Sequence, residues 1–240
     1  MKVYIGTAGW ALPAAERASF DDAASNLSRY ASRFNCVEIN SSFYRRHRPD
    51  TWRRWADSVP EEFRFAVKLP KTMTHLNRLA DCHDLIAEFA SDTRGLGDKL
   101  AVGLVQLPPK MAFDASVAEA FFGALRANVS ARIACEPRHP SWFEGHATDI
   151  LQDHGVARVA ADPAIVPGAS CPAACRDTAY WRLHGSPNIY RSSYEPDSLE
   201  RYSREMKSMT ATSDVWCIFD NTAASAATRN ALDLLSAFSS

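Results

Sequence analysis

The chain is predicted to be an α/β protein built as a (β/α)8 TIM-type barrel, all-parallel, with residues 1–240 in a single domain. Three observations predict this: eight short apolar runs, helical stripes between them, and polar or charged residues where the runs end. Eight such units in 240 residues fit the small end of the size range for such barrels. A two-domain doubly wound sheet is the rival, but it needs a linker, and no low-complexity or charged stretch interrupts the alternation.

Residues 3–6 form the first strand, running out at Thr7 and Trp10. Leu27, Tyr30 and Phe34, at i, i+3 and i+7, mark a helix starting near Asp21 or Asp22. Residues 36–39 form the second strand, ending at Asn40 and Tyr44, and Pro49 and Asp50 open a short helix carrying Trp52, Trp55 and Val59. Residues 63–67 are the third strand, with Lys68 at its end and a loop running to His75. A helix over residues 81–90, with Leu85, Ile86 and Phe89 on its apolar face, is ended by Gly95 and Gly97. Residues 100–105 are the fourth strand, finishing at Gln106, and Val117, Phe121, Phe122 and Leu125 mark the next helix. The fifth strand, residues 133–135, runs into Glu136, Arg138 and His139, set between Pro137 and Pro140. Ile150 and Leu151 mark a helix closed by Gly155, and residues 156–161 are the sixth strand, ending at Asp162. Residues 165–178 are rich in Pro, Gly, Ala and Cys and show no helical stripe, so an irregular segment replaces the helix here. Residues 180–183 are the seventh strand, ending at His184. Leu199, Tyr202, Met206 and Met209 give an amphipathic helix. Residues 215–219 are the eighth strand, ending at Asp220, Asn221 and Thr222, before a last helix with Leu232, Leu235 and Phe238.

Composition excludes several classes. Hydrophobic residues at 46% and charged residues at 23% describe an ordinary globular chain, and a net charge of -1 leaves no global attraction to nucleic acid or anionic membrane. No apolar run approaches the roughly 20 residues of a membrane span. The N-terminus enters a strand at once, without the pattern of a signal peptide, so a cytoplasmic location is expected. Cys36, Cys135 and Cys217 sit in or beside apolar runs as small hydrophobes. Cys171 and Cys175 lack a second Cys/His pair nearby and are read as reduced loop thiols rather than a metal clip. No Gly-x-Gly-x-x-Gly follows a strand, which argues against flavin or nicotinamide.

In such barrels the site lies at the C-terminal strand ends. Charged residues are rare inside strands unless paired or functional, so Glu38, Lys68, Glu136 and Arg182 stand out. Taken singly, each reads as an inter-strand ion pair. Taken together they read as a site, because desolvating so many ionisable groups is costly.

The strand-end motifs also resemble a known family. They are Ile5-Gly-Thr-Ala-Gly-Trp10, Val37-Glu-Ile-Asn-Ser-Ser-Phe-Tyr-Arg45, Phe63-Arg-Phe-Ala-Val-Lys68 with His75, and Gln106-Leu-Pro-Pro109. Glu136-Pro-Arg-His-Pro-Ser-Trp142, Arg182-Leu-His-Gly185, Phe219-Asp-Asn-Thr222 and Asn230-Ala231 continue the series. In order and across nearly the whole chain, they resemble the domain of unknown function 72 family, the YecE-like proteins. The resemblance implies a (β/α)8-type barrel, loosely related to sugar-isomerase-like barrels, and supplies no reaction. Residues 11–15 lack the aromatics that the family carries after its Gly-Trp, and the loop after strand six and residues 186–194 are short. Those departures bear on substrate specificity more than on the core site.

The chemistry read from these residues is an isomerase- or hydrolase-like enzyme acting on a small anionic or sugar-like substrate, phosphorylated ones included. Glu136 is the expected general base and His139 or His184 its acid partner, with Glu38 beside them. Lys68, Arg138 and Arg182 would hold a phosphate or carboxylate. The turns at residues 184–186 and 221–223 would offer backbone N–H groups to a phosphate. Asn40, Tyr44, His75, Gln106, Trp10, Trp142, Asn221 and Thr222 would complete the lining. A metal-dependent variant would draw on Glu38, Glu136, Asp162, His184 and Asp220. It is the weaker version, because no His-x-His or His-Glu-x-x-His pattern is present and nearby cations compete for the carboxylates. The reading from another class is nucleic-acid binding or phosphodiester processing through Arg45, Arg46, His47, Arg48, Arg53 and Arg54 beside Trp52 and Trp55. Against it, two tryptophans three residues apart also suit a helix packed on a barrel with its arginines solvated. A non-catalytic ligand-binding barrel is the third reading.

Overall fold

In the computed structural model, which describes residues 1–239, each expected apolar run becomes a strand. β1 (Val3–Thr7), β2 (Cys36–Ile39), β3 (Arg64–Lys68), β4 (Leu100–Gln106) and β5 (Arg132–Glu136) form in order. The sixth run divides into β6 (Val156–Arg158) and β7 (Ala160–Asp162). A two-residue β8 (Ala173–Ala174) lies in the irregular segment, and β9 (Thr178–Leu183) and β10 (Asp214–Phe219) complete the set. The expected single all-parallel ladder is replaced by two hydrogen-bonded arcs, β1-β10-β9-β7 and β2-β3-β4-β5-β6-β8, and β8 runs antiparallel to β6.

Two seams bring the arcs together, and each has a physical cause. At the first, the sixth run crosses over: β6 pairs with β5, β7 pairs with β9, and the Val159 N–H between them donates to the Cys135 carbonyl at 2.8 Å. At the second, Ala8 bridges to Glu38, and the Gly9 N–H donates to the Glu38 carbonyl at 2.8 Å. Further down β1, side chains replace ladder bonds. Asn35 Oδ1 accepts from the Ile5 N–H at 3.2 Å, and its Nδ2 donates to the Val3 carbonyl at 2.7 Å. The Tyr30 hydroxyl accepts from the Thr7 N–H at 2.8 Å and donates to the Cys36 carbonyl at 3.0 Å. The open edge of β1 is satisfied in this way. Gly6 is required there, since a Cβ would lie 2.3 Å from the Cys36 carbonyl oxygen.

The helices are α1 (Asn26–Tyr30), α2 (Pro49–Asp57), α3 (His83–Thr93), α4 (Ala115–Asn128), α5 (Gly145–Asp153), α6 (Pro196–Met209) and α7 (Ala226–Ser239). α1 is shorter than the expected helix from Asp21. Ser25 caps it by accepting from the Ser28 N–H at 3.0 Å, so it starts at Asn26, and residues 14–19 form a separate 3-10 turn. α3 runs to Thr93 and continues as a 3-10 turn whose interruption is Gly97, at φ 53°.

Strand alternation sorts the core into two parts. Val37, Ile39, Phe65, Val67, Val105, Ile133, Trp181, Leu183 and Phe219 belong to the large core shared with the helices. Tyr4, Cys36, Ala66, Val102, Leu104, Ala134, Val159, Tyr180, Trp216 and Ile218 form a second, inner core between the arcs. Its floor is an aromatic stack: Tyr4 and Trp216 have ring centroids 4.3 Å apart, and Tyr180 and Trp216 5.9 Å. Two residues further along the same alternation the inner face turns polar. Cys36 gives way to Glu38, Ala66 to Lys68, Leu104 to Gln106, Ala134 to Glu136, Tyr180 to Arg182 and Ile218 to Asp220.

Candidate active site

Arg182, from β9, is the hub of that polar layer. Its Nε donates to Glu38 Oε2 at 3.0 Å, and its Nη2 to Glu38 Oε1 at 2.6 Å and Asp220 Oδ2 at 3.0 Å. Its Nη1 donates to Gln106 Oε1 at 3.1 Å and to Glu136 Oε2. A guanidinium has five N–H donors, and these five bonds use them all. The Tyr180 hydroxyl, from the aromatic floor, adds a bond to Glu38 Oε2 at 3.0 Å. Arg182 and Glu38, expected as an anion clamp and an acid–base group, are fully buried and bonded to each other rather than open to solvent.

His184, one residue past β9, sits in the tier above. Its Nε2 lies 3.0 Å from Glu136 Oε1 and its Nδ1 3.0 Å from Asp220 Oδ2. Burial alone would push its pKa down, but the charge of Glu136 and hydrogen bonds to both carboxylates raise it above the ordinary histidine value. Arg138 Nε donates to Glu136 Oε1 at 2.9 Å, and its Nη2 lies 3.3 Å from His184 Nε2. Burial opposes the charge on Glu136, yet Arg182, His184 and Arg138 together hold its carboxyl well below the usual range. Glu136, the expected general base, is thus held in its ionised form and bonded by three cationic partners. Asp220 behaves likewise, with Arg182 and the His184 hydrogen bond outweighing burial and lowering its pKa.

Lys68 differs from the other cations. Burial, reinforced by the Arg182 charge, pushes its amine down to about 8 despite the nearby carboxylates. Its Nζ stands 4.2 Å from the centre of the Phe43 ring. Phe43 also meets His75 edge-on, at 4.9 Å. His75 is lowered by burial and by the charges of Lys68 and Arg138. Counted formally, Glu38, Glu136 and Asp220 balance Lys68, Arg138 and Arg182, so a protonated His184 gives the layer a net charge of about +1. Arg138 is 21% exposed at the side chain, whereas Glu136 is 1% exposed, so the cationic edge is the one that solvent reaches.

Other predicted residues take different places. His139 caps the turn at residues 140–143, with Nδ1 2.9 Å from the Ser141 hydroxyl, and makes no hydrogen bond or ion pair with the cluster among the described residues. Trp142 is buried and donates to the Met111 carbonyl at 3.0 Å, a structural role. Tyr44 is 72% exposed, and Thr222 is exposed. Asn221 is buried, with Nδ2 donating to the Ser192 carbonyl at 2.9 Å and to Asn230 Oδ1 at 2.8 Å, tying the loop after β9 to α7. Trp10 packs edge-on against Trp55, with centroids 5.1 Å apart. Gln106 faces Arg182, and Asn40 Oδ1 is buried without a hydrogen-bond partner. One N–H in each expected phosphate turn is already used: the Gly185 N–H donates to the Tyr194 hydroxyl at 2.8 Å and the Ala223 N–H to the Tyr190 carbonyl at 2.9 Å.

The metal variant does not fit these residues. Asp162 lies apart, accepting from the Tyr194 hydroxyl at 2.7 Å beside a cavity of about 80 Å³ with Trp181, Arg201 and Tyr202. The three other acids, Glu38, Glu136 and Asp220, converge on the Arg182 guanidinium, which fills the place a cation would take, and His184 bonds two of them. Cys171 and Cys175 are free thiols, and no metal-binding group of three acidic, His or Cys side chains occurs among the described residues. In the basic stretch, Arg46 is paired with Asp92 and Glu88, Arg53 with Asp50, and Trp52 is buried, which favours the solvated-face reading over a nucleic-acid groove. A cavity of about 160 Å³ near there is lined by Phe43, Trp52, Met73, Leu85 and Phe89; it flanks the polar layer without containing the Arg182 cluster. No described helix is long and apolar enough to cross a membrane.

The sequence reading missed Tyr190. Its ring meets His184 edge-on at 5.7 Å, and its hydroxyl is a polar neighbour of Arg138. It comes from a loop without periodicity and sits at φ 67°, so no pattern pointed to it.

A family model described as "Protein of unknown function DUF72" matches residues 4–240. The UPF0759 protein YecE of Escherichia coli K12 is 34% identical over 106 residues. That match takes in 44% of this chain and 38% of the relative, so the chain spans well under half the length of the curated relative it matches. Among solved structures, a DUF72 family protein (TM1631) from Thermotoga maritima superimposes with a TM-score of 0.82 at 22% identity, covering 100% of both chains. Another (EF0366), from Enterococcus faecalis, gives 0.82 at 20% identity, covering 99% of this chain and 96% of that one. A xylose isomerase-like TIM barrel/4-hydroxyphenylpyruvate dioxygenase fusion protein gives 0.55 at 15% identity, covering 99% of this chain and 42% of that one. At these identities the solved structures speak to the fold, which is α/β and TIM-barrel-like. The chain belongs to the DUF72 family.

Proposed function

We propose that the two arcs make one (β/α)8-type barrel domain whose C-terminal mouth is an active site for a small anionic or sugar-like substrate. In this reading His184 carries the proton, as an imidazolium that donates to a developing oxyanion or leaving group. Glu136 and Asp220 orient the ring and keep it charged, while Arg138 and Lys68 face the anionic part of the substrate. Isomerisation by proton transfer and hydrolysis both suit such a donor.

The observation that carries the reading is the placement of His184 between two buried carboxylates, each 3.0 Å from a ring nitrogen. A histidine held this way has a fixed orientation and is kept protonated by its two carboxylates, and it gives up a proton by exchanging one of those contacts for the substrate. The covered acids and partly exposed Arg138 support an anion as its ligand.

The test is a thermal-shift and turnover screen of phosphorylated sugars, oxo acids and other carboxylates on the wild type, Arg138→Ala and His184→Gln. Ligands that stabilise the wild type should bind Arg138→Ala roughly tenfold or more weakly, because a charge-assisted contact is lost. His184→Gln should still bind and should turn over at least about a hundredfold more slowly. Hits indifferent to Arg138→Ala would refute the anion site, and binding without conversion in the wild type would favour a non-catalytic barrel.

A further inference from the structure

Each cation of the cluster except Lys68 has an acid of its own. Arg182, Arg138 and His184 are all bonded to carboxylates, whereas no carboxylate oxygen of the described residues lies within 4.0 Å of Lys68 Nζ and no hydrogen bond to that nitrogen is made. Lys68 as a whole residue is 9% exposed. Its wall is the face of Phe43, 4.2 Å away.

A second unsatisfied group stands beside it. β2 and β3 pair in register up to Ile39 opposite Val67, and Asn40 and Lys68 are the next residues along the two chains. Asn40 Oδ1 is buried and has no hydrogen-bond partner. An amine without an acid and an amide without a partner therefore end neighbouring strands, on the inner face that bears Glu38 and Ala66. Burying polar groups unpaired costs free energy that a ligand can recover.

We propose that Lys68 is a carbonyl-capturing amine. Its Nζ condenses with the aldehyde or ketone of an anionic substrate, an oxo acid or a phosphorylated aldose or ketose, and Asn40 Oδ1 accepts from the hydroxyl of the carbinolamine that forms. This rests on the reading of the mouth as an anion-binding active site and names the substrate's reactive group.

The chemistry requires a neutral amine. With the amine near 8, roughly a tenth is neutral at pH 7, against well under a thousandth for an ordinary lysine. The nitrogen lone pair attacks the carbonyl carbon, the C=O π pair moves to oxygen, and a proton passes from nitrogen to that oxygen to give a carbinolamine. Protonation of its hydroxyl by the His184 imidazolium lets the C–O bond break and water leave, and the nitrogen lone pair forms the C=N bond. The products are a protonated iminium and water, His184 regains its proton from solvent, and no oxidant or reductant is consumed. Phe43 excludes the bulk water that would reverse the condensation.

Reductive trapping tests this directly. The full chain is incubated with glyoxylate, and separately with pyridoxal 5′-phosphate, then reduced with sodium cyanoborohydride and peptide-mapped by mass spectrometry. The adduct should favour Lys68 over Lys2, Lys71, Lys99, Lys110 and Lys207 on the order of tenfold at pH 7, and should vanish from that peptide in Lys68→Met. Lys68→Arg, which keeps the charge without the amine, should retain anion binding and lose trapping. Labelling that simply follows exposure, with Lys68 the least modified, would overturn the proposal. If Arg138→Ala and His184→Gln impair ligand binding and turnover while Lys68 stays unlabelled, the active-site reading survives and this inference fails. If Lys68 labels preferentially and those variants change nothing, the active-site reading fails instead.

Discussion

Arg182 is hydrogen-bonded through every N–H it has, and three buried carboxylates depend on it for compensation. Arg182→Met should therefore cost about 3–5 kcal/mol in urea unfolding, since removing one partner leaves buried charges uncompensated; a loss below about 1 kcal/mol would show that the layer relaxes without it. Lys68 makes the opposite prediction. Its amine, held near 8 against 10.5 for an ordinary lysine, disfavours the charged form in the native state. Stability should therefore rise as pH increases from about 8 to 10.5, where the unfolded chain binds the extra proton. Lys68→Met should be more stable than wild type at pH 7 by about 1–3 kcal/mol and should lose that rise. An unchanged or lower melting temperature would count against the strained amine. At this scale the sequence was informative about identity and silent about partnership. Glu38, Lys68, Gln106, Glu136, Arg182 and His184 are legible as polar groups at strand ends, but which of them Arg182 saturates depends on register between strands far apart in the chain. His139 misled because it stands three residues past Glu136 of the layer, where its ring turns to Ser141.

The strands are the elements that build the site, and they do it by counting in twos. Apolar residues on the inner face stop together, and the next inner position on six strands is polar. That layering follows from hydrophobic alternation and was readable in advance. The seams were not. Tyr30 and Asn35 carry no signal that they will bond the edge of β1, because their apolar and turn roles account for them equally well. The division of the sixth run likewise depends on which arc each half meets. The β1–β2 seam places Glu38 beside the rest of the layer, so it can be tested through Gly6. Gly6→Ala, whose Cβ would fall 2.3 Å from the Cys36 carbonyl oxygen, should destabilise by about 1–3 kcal/mol or more in thermal unfolding. A neutral effect would mean that the two strands separate freely.

Across the whole molecule, net charge is -1, so any attraction of an anion comes from the local arrangement at the mouth. The aromatic floor of Tyr4, Trp216 and Tyr180 closes the inner core below the cluster and keeps it poor in water, which strengthens each charge pair above. Stability should respond to pH from both sides. Glu136 and Asp220, depressed in the folded state, contribute above the ordinary carboxylate range, and that contribution is lost as pH falls through their lowered values. His184, raised on folding, contributes fully below about 6.5 and loses its share as pH rises through its higher folded value. The measurement that tests this most directly is an NMR titration of 15N-labelled histidines, with the His184 signal assigned by its disappearance in His184→Gln. His184 should titrate above about 6.5 and above His47 and His75, which are both lowered. A His184 midpoint below those of His47 and His75 would contradict the imidazolium held between Glu136 and Asp220.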